Sequence, residues 1–131
     1  MSEIKIEKAT RVGNSLGGWV AAWTAIKYPD RVEKIVLADA AGLKPNEIDL
    51  KQIYALNYST RDEVRTLLKL VFYNQAVFGN PAYIDESMKL RVLANDGDTI
   101  NSLIESIKRE EDFLEGQLAN IKKPTLIIWG R

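Results

Sequence analysis

The most informative stretch of this chain is a serine set between glycines, Gly13-Asn14-Ser15-Leu16-Gly17. A G-x-S-x-G pattern between a strand and a helix forms a strained turn, the nucleophile elbow. This turn exposes the serine hydroxyl and directs the first helical N–H groups toward a developing oxyanion. The flanking sequence fits, because an extended run precedes Gly13 and small residues recur at helical spacing from Gly17 to Ala25. The pattern predicts a strand, a sharp turn at Ser15 and a helix packed closely on a sheet.

Two other interpretations of this glycine-rich turn are weaker. The Lys-Ser/Thr ending of a P-loop and the G-x-G-x-x-G fingerprint of a dinucleotide site are both absent. A structural turn in which Ser15 is a bystander stays open. A serine nucleophile also needs a base, which is normally an imidazole, and none of the 131 residues is histidine.

Composition argues against several classes of partner and site. Lysine plus arginine and aspartate plus glutamate both number 18, so the net charge is zero and nothing favours nucleic acid or an anionic membrane. Without cysteine or histidine, disulfides, thiolate chemistry and imidazole metal ligands are excluded, and we expect no metal and no cofactor. The stretch Met1-Ser2-Glu3-Ile4-Lys5 is charged and lacks a signal-peptide core, and no apolar run reaches membrane-span length. These features predict a soluble cytoplasmic protein.

Apolar runs predict three strands, at about 8–13, 34–38 and 125–129. The second, Ile35-Val36-Leu37-Ala38, is apolar throughout, as expected for a parallel strand buried on both faces. The helix after Ser15 should end at Tyr28, because the following proline disfavours helical geometry in the residue before it.

Helix signals fill the long stretch between the second and third strands. Thr60 and Glu63 have capping-box spacing and open a helix that is apolar on one side. The pair Asn80-Pro81 breaks that helix, and another helix follows it. Asp98 is predicted to cap a further helix.

These residues resemble the α/β-hydrolase fold family, in its esterase, lipase and carbon–carbon hydrolase branch. The stretch 12–18 is similar to the fifth strand and elbow, 28–37 to the link into the sixth strand, and 124–131 to the seventh strand. The resemblance implies an α/β protein: a partial α/β-hydrolase fold with about three parallel strands, an elbow helix and a helical cap insertion. The expected divisions are 1–43 for the elbow part of the core, 44–122 for the cap and 123–131 for the last core strand.

In that family the triad acid and the histidine follow the seventh strand, and a loop before the fifth strand supplies half of the oxyanion hole. We therefore expect a fragment of a serine hydrolase that carries the nucleophile and is inactive alone. Its implied substrate is a small ester-like molecule. The alternative is a non-catalytic module of the same ancestry that oligomerises or binds a ligand.

The resemblance also assigns roles at the elbow. Ser15 matches the nucleophile, and the backbone N–H of Leu16 matches one donor of the oxyanion hole. In some members of the fold the triad acid follows the sixth strand, where Asp39 stands in this chain. A solvated carboxylate or strand-end cap is the favoured interpretation of Asp39.

Aromatic residues of the predicted cap are candidates for substrate binding. Tyr54, Tyr58 and Phe72 are the residues that we expect to line a pocket beneath the cap. Aromatic residues at helical spacing more often belong to a core, so both interpretations stay open.

The predicted sheet also leads to an expectation about assembly. Two right-handed crossovers running in the same direction place both connections on one face of the sheet and leave the other bare. One face is predicted to carry Ile35, Leu37, Leu126 and Ile128, and the other to carry Val36, Ala38, Ile127 and Trp129. Because parallel sheets are covered on both faces, a bare apolar face predicts a homo-oligomer.

Overall fold

The structure is a computed structural model that describes residues 5–130. Residues 1–4, part of the stretch on which the predicted location rests, lie outside the described residues, as does Arg131. The chain forms two compact units. The sheet unit runs through Lys44 and resumes at Asp112, and the helical unit is Pro45–Glu111.

The sheet unit contains three strands and one long helix, which match the predicted positions closely. Its elements are β1 (Ala9–Asn14), α1 (Leu16–Lys27), a 3-10 turn (Pro29–Arg31), β2 (Val32–Ala38), a second 3-10 turn (Leu118–Asn120) and β3 (Thr125–Ile128). The helical unit contains α2 (Glu47–Ala55), α3 (Arg61–Val71), α4 (Gln75–Phe78), α5 (Pro81–Ala94) and α6 (Gly97–Lys108).

The three strands form a parallel sheet in the order β1-β2-β3. Partnered residues in neighbouring strands share a face of the sheet. Val36 pairs with Val12 on one side and with Leu126 on the other. The predicted assignment of Leu126 and Ile128 to the face of Ile35 and Leu37 is therefore wrong, because the actual register shifts β3 by one residue and reverses its faces.

Helix α1 contacts β1 and β2, and alternate residues of β2 are buried accordingly. Ile35 is 1% exposed and Leu37 is 8% exposed. Small residues let the helix come close, since Ala21, Ala22 and Ala25 are all buried. The opposite face is open: Val12 is 72% exposed and Leu126 is 56% exposed.

The segment that begins at Asp112 is bonded to α1 and to the stretch after β2. The carbonyl of Asp112 accepts hydrogen bonds from the indole N–H of Trp19 (2.8 Å) and of Trp23 (2.6 Å). The backbone N–H of Leu114 donates to the carbonyl of Gly42 at 2.8 Å. These bonds make residues 112–122 part of the sheet unit, whereas the predicted cap extends from 44 to 122.

In the helical unit, side-chain caps set where the helices begin. The Thr60 hydroxyl accepts from the N–H of Glu63, and the Glu63 carboxylate accepts from the N–H of Thr60, which confirms the predicted capping box. Asn46 and Asp49 form an equivalent box at α2, which was not among the predicted helix caps. Asp98 is not a cap, because α6 begins earlier, after Asp96.

One buried cluster lies between α3 and α5 of the helical unit. Val64, Leu68 and Ile84 are buried together, and Tyr58, Phe72 and Met88 pack against them. The predicted apolar side of α3 is therefore its core side, as expected for an amphipathic helix on a core.

The capping box makes the stability of α3 depend on pH. The pKa of Glu63 lies below its ordinary value, because the backbone N–H groups of Ser59 and Thr60 donate to its carboxylate. This contribution is full above the unfolded pKa and is lost as pH falls through the folded pKa. We expect Glu63→Ala to lower Tm by a few degrees at pH 7, and the difference from wild type to shrink between about pH 5 and pH 3.

The measurement is thermal unfolding followed by circular dichroism over this pH range. Glu63→Gln keeps an acceptor for the box and should weaken the pH dependence. The control is Glu86→Gln, which removes an exposed carboxylate paired with Lys89 in the same unit and should change Tm little. A Glu63→Ala penalty that persists unchanged at pH 3 would contradict this account.

Two adjacent glycines in α1 provide a matched test of its close packing. A Cβ on Gly18 would overlap Ala40 and lie 3.2 Å from the carbonyl of Gly13, whereas a Cβ on Gly17 meets no heavy atom of the described residues within 4 Å. Gly18→Ala should destabilise the chain by about 1–3 kcal/mol, and Gly17→Ala should be neutral or stabilise it by up to ~1 kcal/mol. The measurement is the free energy of unfolding in urea for both variants. Equal changes in Gly18→Ala and Gly17→Ala would contradict the close packing at Gly18.

Candidate functional site

The candidate site begins at the turn between β1 and α1, where Ser15 has an unusual backbone. Its φ is 52° and its ψ is −121°, a combination that residues other than glycine adopt only under local strain. Ser15 is exposed, and its side chain makes no capping hydrogen bond to α1, a helix that lies wholly in the described part of the chain. The hydroxyl is therefore presented at the carboxyl edge of the sheet without serving as a helix cap.

Backbone hydrogen bonds hold the turn in place. The N–H of Ser15 donates to the carbonyl of Ala38 at 3.1 Å, and its carbonyl accepts from Gly18 and Ala41, each at 3.0 Å. The side-chain amide of Asn14 also donates to the Ala38 carbonyl, at 3.1 Å. The end of β2 thus fixes the position of the strained residue, as a pre-organised site requires.

Glycine is sterically required at one of the two glycine positions of the motif. A Cβ at Gly13 would collide with the carbonyl of Gly17, so the strand and the first helical turn can meet only without it. Gly17 itself borders open space.

Leu16 is the first residue of α1, and its side chain is 45% exposed. The N–H groups at the start of a helix have no carbonyl one turn earlier in the helix to bond to, and the helix dipole adds positive potential there. Donors of this kind, beside a hydroxyl, can stabilise negative charge that develops on a carbonyl oxygen. This chemistry suits acyl transfer from a serine.

Asp39 follows β2 directly and lies at the same edge of the sheet as Ser15. Its backbone is in the left-handed region, with φ 41°. Its N–H donates to the carbonyl of Ile128 at 2.9 Å, and its Oδ1 accepts from the N–H of Gly130 at 2.9 Å. The carboxylate therefore bonds to the segment after β3.

The three aromatic candidates lie in the helical unit and divide into two groups. Tyr54 and Tyr58 line a cavity of about 230 Å³, and Phe72 does not. Phe72 packs against the buried cluster and stacks on Phe78, with ring centroids 3.9 Å apart. The contacts of Phe72 are those of a core residue.

A cationic side chain packs over the ring of each tyrosine of this cavity. The Arg91 guanidinium lies 4.2 Å from the ring centroid of Tyr58, and the Lys108 ammonium lies 5.5 Å from that of Tyr54. Arg91 also bonds to Asp96 and to the carbonyl of Leu56. These cation–π contacts orient the two rings.

Several residues of these sites belong to no sequence motif that would assign them to a site. The cavity is completed by Ala55, Asn57, Glu63 and Thr66, which sequence reasoning did not assign to a pocket. Gly130 as the partner of Asp39 was also missed, because 91 residues separate the two. For Asn14, whose side chain bonds to the Ala38 carbonyl, the sequence offers one signal, its position directly before Ser15 in the motif.

Residues 5–130 contain no group of three or more side chains arranged to hold a metal ion. No helix in the described part of the chain has both the length and the apolar character needed to cross a membrane.

Comparison with known proteins links this geometry to one fold family. A family described as "alpha/beta hydrolase fold" matches residues 1–131. A 2-hydroxy-6-oxononadienedioate/2-hydroxy-6-oxononatrienedioate hydrolase from Paraburkholderia phymatum is 31% identical over 140 residues, covering 100% of this chain and 48% of that protein. The chain spans about half the length of the curated relatives it matches over its full length.

Solved structures agree. A meta-cleavage product hydrolase superposes with a TM-score of 0.71 and 30% identity, covering 98% of this chain and 48% of that one. A membrane phospholipase A described as a bacterial virulence factor has a TM-score of 0.74 and 29% identity, covering 97% and 42%. The three-stranded parallel sheet, the elbow turn and the match along its whole length show that this chain belongs to the α/β hydrolase fold family, which confirms the resemblance and the predicted fold class.

Proposed function

We propose that this chain carries the nucleophile part of a serine hydrolase, with Ser15 as the nucleophile and the N–H of Leu16 as one oxyanion donor. The strained backbone of Ser15, at φ 52° and ψ −121° between a strand and a helix, carries the proposal. This conformation exposes a hydroxyl beside the N-terminus of α1, which is the geometry that acyl transfer needs.

The proposed substrate is a small carbonyl compound whose bond next to the carbonyl is cleaved. The relatives support this class, because their names describe hydrolases of 2-hydroxy-6-oxo dienoates and a phospholipase, and each of these substrates contains a carbonyl carbon. An ester and a carbon–carbon bond are both within reach of the same nucleophile. We also propose that Tyr54 and Tyr58 contact a ligand through the cavity that they line.

The base is the missing element of this proposal. None of the 131 residues is histidine, and a serine hydroxyl is a weak nucleophile at neutral pH without a partner base. The proposed reaction therefore needs an imidazole from outside this sequence, either from a longer protein or from another chain.

We predict no Ser15-dependent ester hydrolysis by the 131-residue chain. Removing the base of a triad leaves only residual catalysis, about 10³–10⁴-fold over water, and even that requires a complete oxyanion hole. The measurement compares p-nitrophenyl ester hydrolysis by wild type and Ser15→Ala. A clear rate that disappears in Ser15→Ala would contradict the prediction.

A chimera provides the positive arm of this test. This chain would replace the matching segment of the Paraburkholderia phymatum hydrolase, so that the flanking sequence of that protein remains. We expect turnover that Ser15→Ala lowers by about 10³-fold or more. A folded chimera whose turnover does not change with Ser15→Ala would overturn the proposed nucleophile.

A second candidate function, an oligomerising module, is favoured by the open face of the sheet. Val12, Leu126 and Ile128 share this face, and each is at least half exposed. We propose that a second copy of the chain covers it, because both partners present the same apolar surface and the chain has no net charge to oppose their approach. Three strands about 4.8 Å apart offer a few hundred Å², which is below a standard interface of ~800 Å² per partner.

The small area predicts a weak dimer that depends on concentration. Burial of both faces contributes on the order of 10 kcal/mol, which is comparable to the cost of association. Size exclusion with light scattering should give a mass above 14.8 kDa that rises over the micromolar range. Leu126→Lys should restore the monomer, while Ile127→Lys, at a neighbour that is 64% exposed and lies on the other face of the sheet, should not. A monomer mass for wild type throughout, or equal effects of the two variants, would contradict the interface.

A further inference from the structure

We infer that Asp39 is a positioning residue that fixes the segment after β3 relative to the elbow of Ser15. The inference rests on the proposed function of Ser15 as the nucleophile. Asp39 acts here as a hydrogen-bond acceptor for the backbone of Gly130. A triad acid, by contrast, bonds to the catalytic histidine.

The first observation is that Asp39 attaches to the end of β3 at two points. Its N–H donates to the carbonyl of Ile128, and its Oδ1 accepts from the N–H of Gly130, both at 2.9 Å. The backbone bond continues the ladder of the sheet, whereas the carboxylate bond extends the attachment beyond the last residue of the strand. Gly130 lies two residues beyond Ile128, the last residue of β3.

The second observation is that Ala38, just before Asp39, and Ala41, two residues after it, bond to the elbow. The Ala38 carbonyl accepts from the N–H of Ser15 at 3.1 Å, and the N–H of Ala41 donates to the carbonyl of Ser15 at 3.0 Å. The four residues 38–41 therefore bond to Ser15 on one side and to β3 on the other. A displacement of Asp39 would change the surroundings of both.

The third observation is the backbone of Asp39, which lies in the left-handed region at φ 41°. Aspartate and asparagine tolerate this region better than other side chains, and glycine adopts it without cost. Asparagine keeps the oxygen that accepts from Gly130 and loses the charge. Glycine keeps the backbone and loses the acceptor, so the two variants separate the hydrogen bond from both charge and strain.

The hydrogen bond between Asp39 and Gly130 matters for the proposed reaction because of where Gly130 lies in the fold. In the family that the chain resembles, the triad acid follows the strand that corresponds to β3. A carboxylate that restrains Gly130 would hold the start of that segment at a constant distance from Ser15. Asp39 would then act through the backbone of another segment, without contact with the reacting atoms.

The experiment is amide hydrogen exchange by NMR on the full 131-residue chain. In Asp39→Gly, exchange at Gly130 should become about three- to tenfold faster, the range expected for one hydrogen bond, and the amide resonance of Ser15 should shift. In Asp39→Asn, both amides should stay close to wild type. Unchanged exchange at Gly130 in Asp39→Gly, an unmoved Ser15 resonance, or an Asp39→Asn variant as perturbed as Asp39→Gly would each overturn the inference.

The chimera described above separates this inference from the proposed function. Asp39→Asn should keep turnover within about threefold of the parent chimera, whereas loss of a triad carboxylate lowers kcat by roughly 10⁴-fold. A large loss in Asp39→Asn would make Asp39 an acid and overturn the positioning role. A chimera without Ser15-dependent turnover would count against the proposed function, and the amide measurements would still decide the role of Asp39.

Discussion

The close approach of helix α1 to the strands at the elbow is the contact on which the rest of the sheet unit depends. It is possible because Gly13 and Gly18 present no side chain where the helix meets the strand and Ala40. The strained conformation of Ser15 follows from this proximity, since the chain must reverse from strand to helix within one residue. Packing therefore maintains a backbone conformation that local preferences oppose.

The end of β2 is the second determinant, because it bonds to both neighbouring strands beyond the regular ladder. The Ala38 carbonyl accepts two hydrogen bonds from the elbow. The N–H of Asp39 donates to the Ile128 carbonyl, and its carboxylate accepts from the N–H of Gly130. Backbone carbonyls and one carboxylate thus hold three chain segments together at the edge where the candidate chemistry lies. Carboxyl ends of parallel strands are the usual place for ligands in α/β folds, and this edge has the same character.

Features set by neighbouring residues were predictable from the sequence. The Thr60–Glu63 capping box, the end of α1 before Pro29 and the turn at Ser15 are each set by side chains or backbone limits within a few residues. Features that depend on distant pairing were not. The faces of β3 depend on its register with β2, and a shift of one residue reverses them.

The candidate site divides in the same way. The motif predicts the position of Ser15, but no local pattern indicates that the carboxylate of Asp39 meets Gly130. The cavity around Tyr54 and Tyr58 also includes Asn57, whose place there depends on how the helices pack. The sequence left the pocket and core interpretations of Phe72 open, and only its packing against Val64, Leu68 and Ile84 distinguishes them.

The hydrogen bond between Gly42 and Leu114 brings together the points where the chain leaves and re-enters the sheet unit. A segment whose ends already meet adds little loop-closure entropy as it grows, about 0.6 kcal/mol for each doubling of its length. The helical segment can therefore lengthen, shorten or change its sequence during evolution at small thermodynamic cost to the elbow.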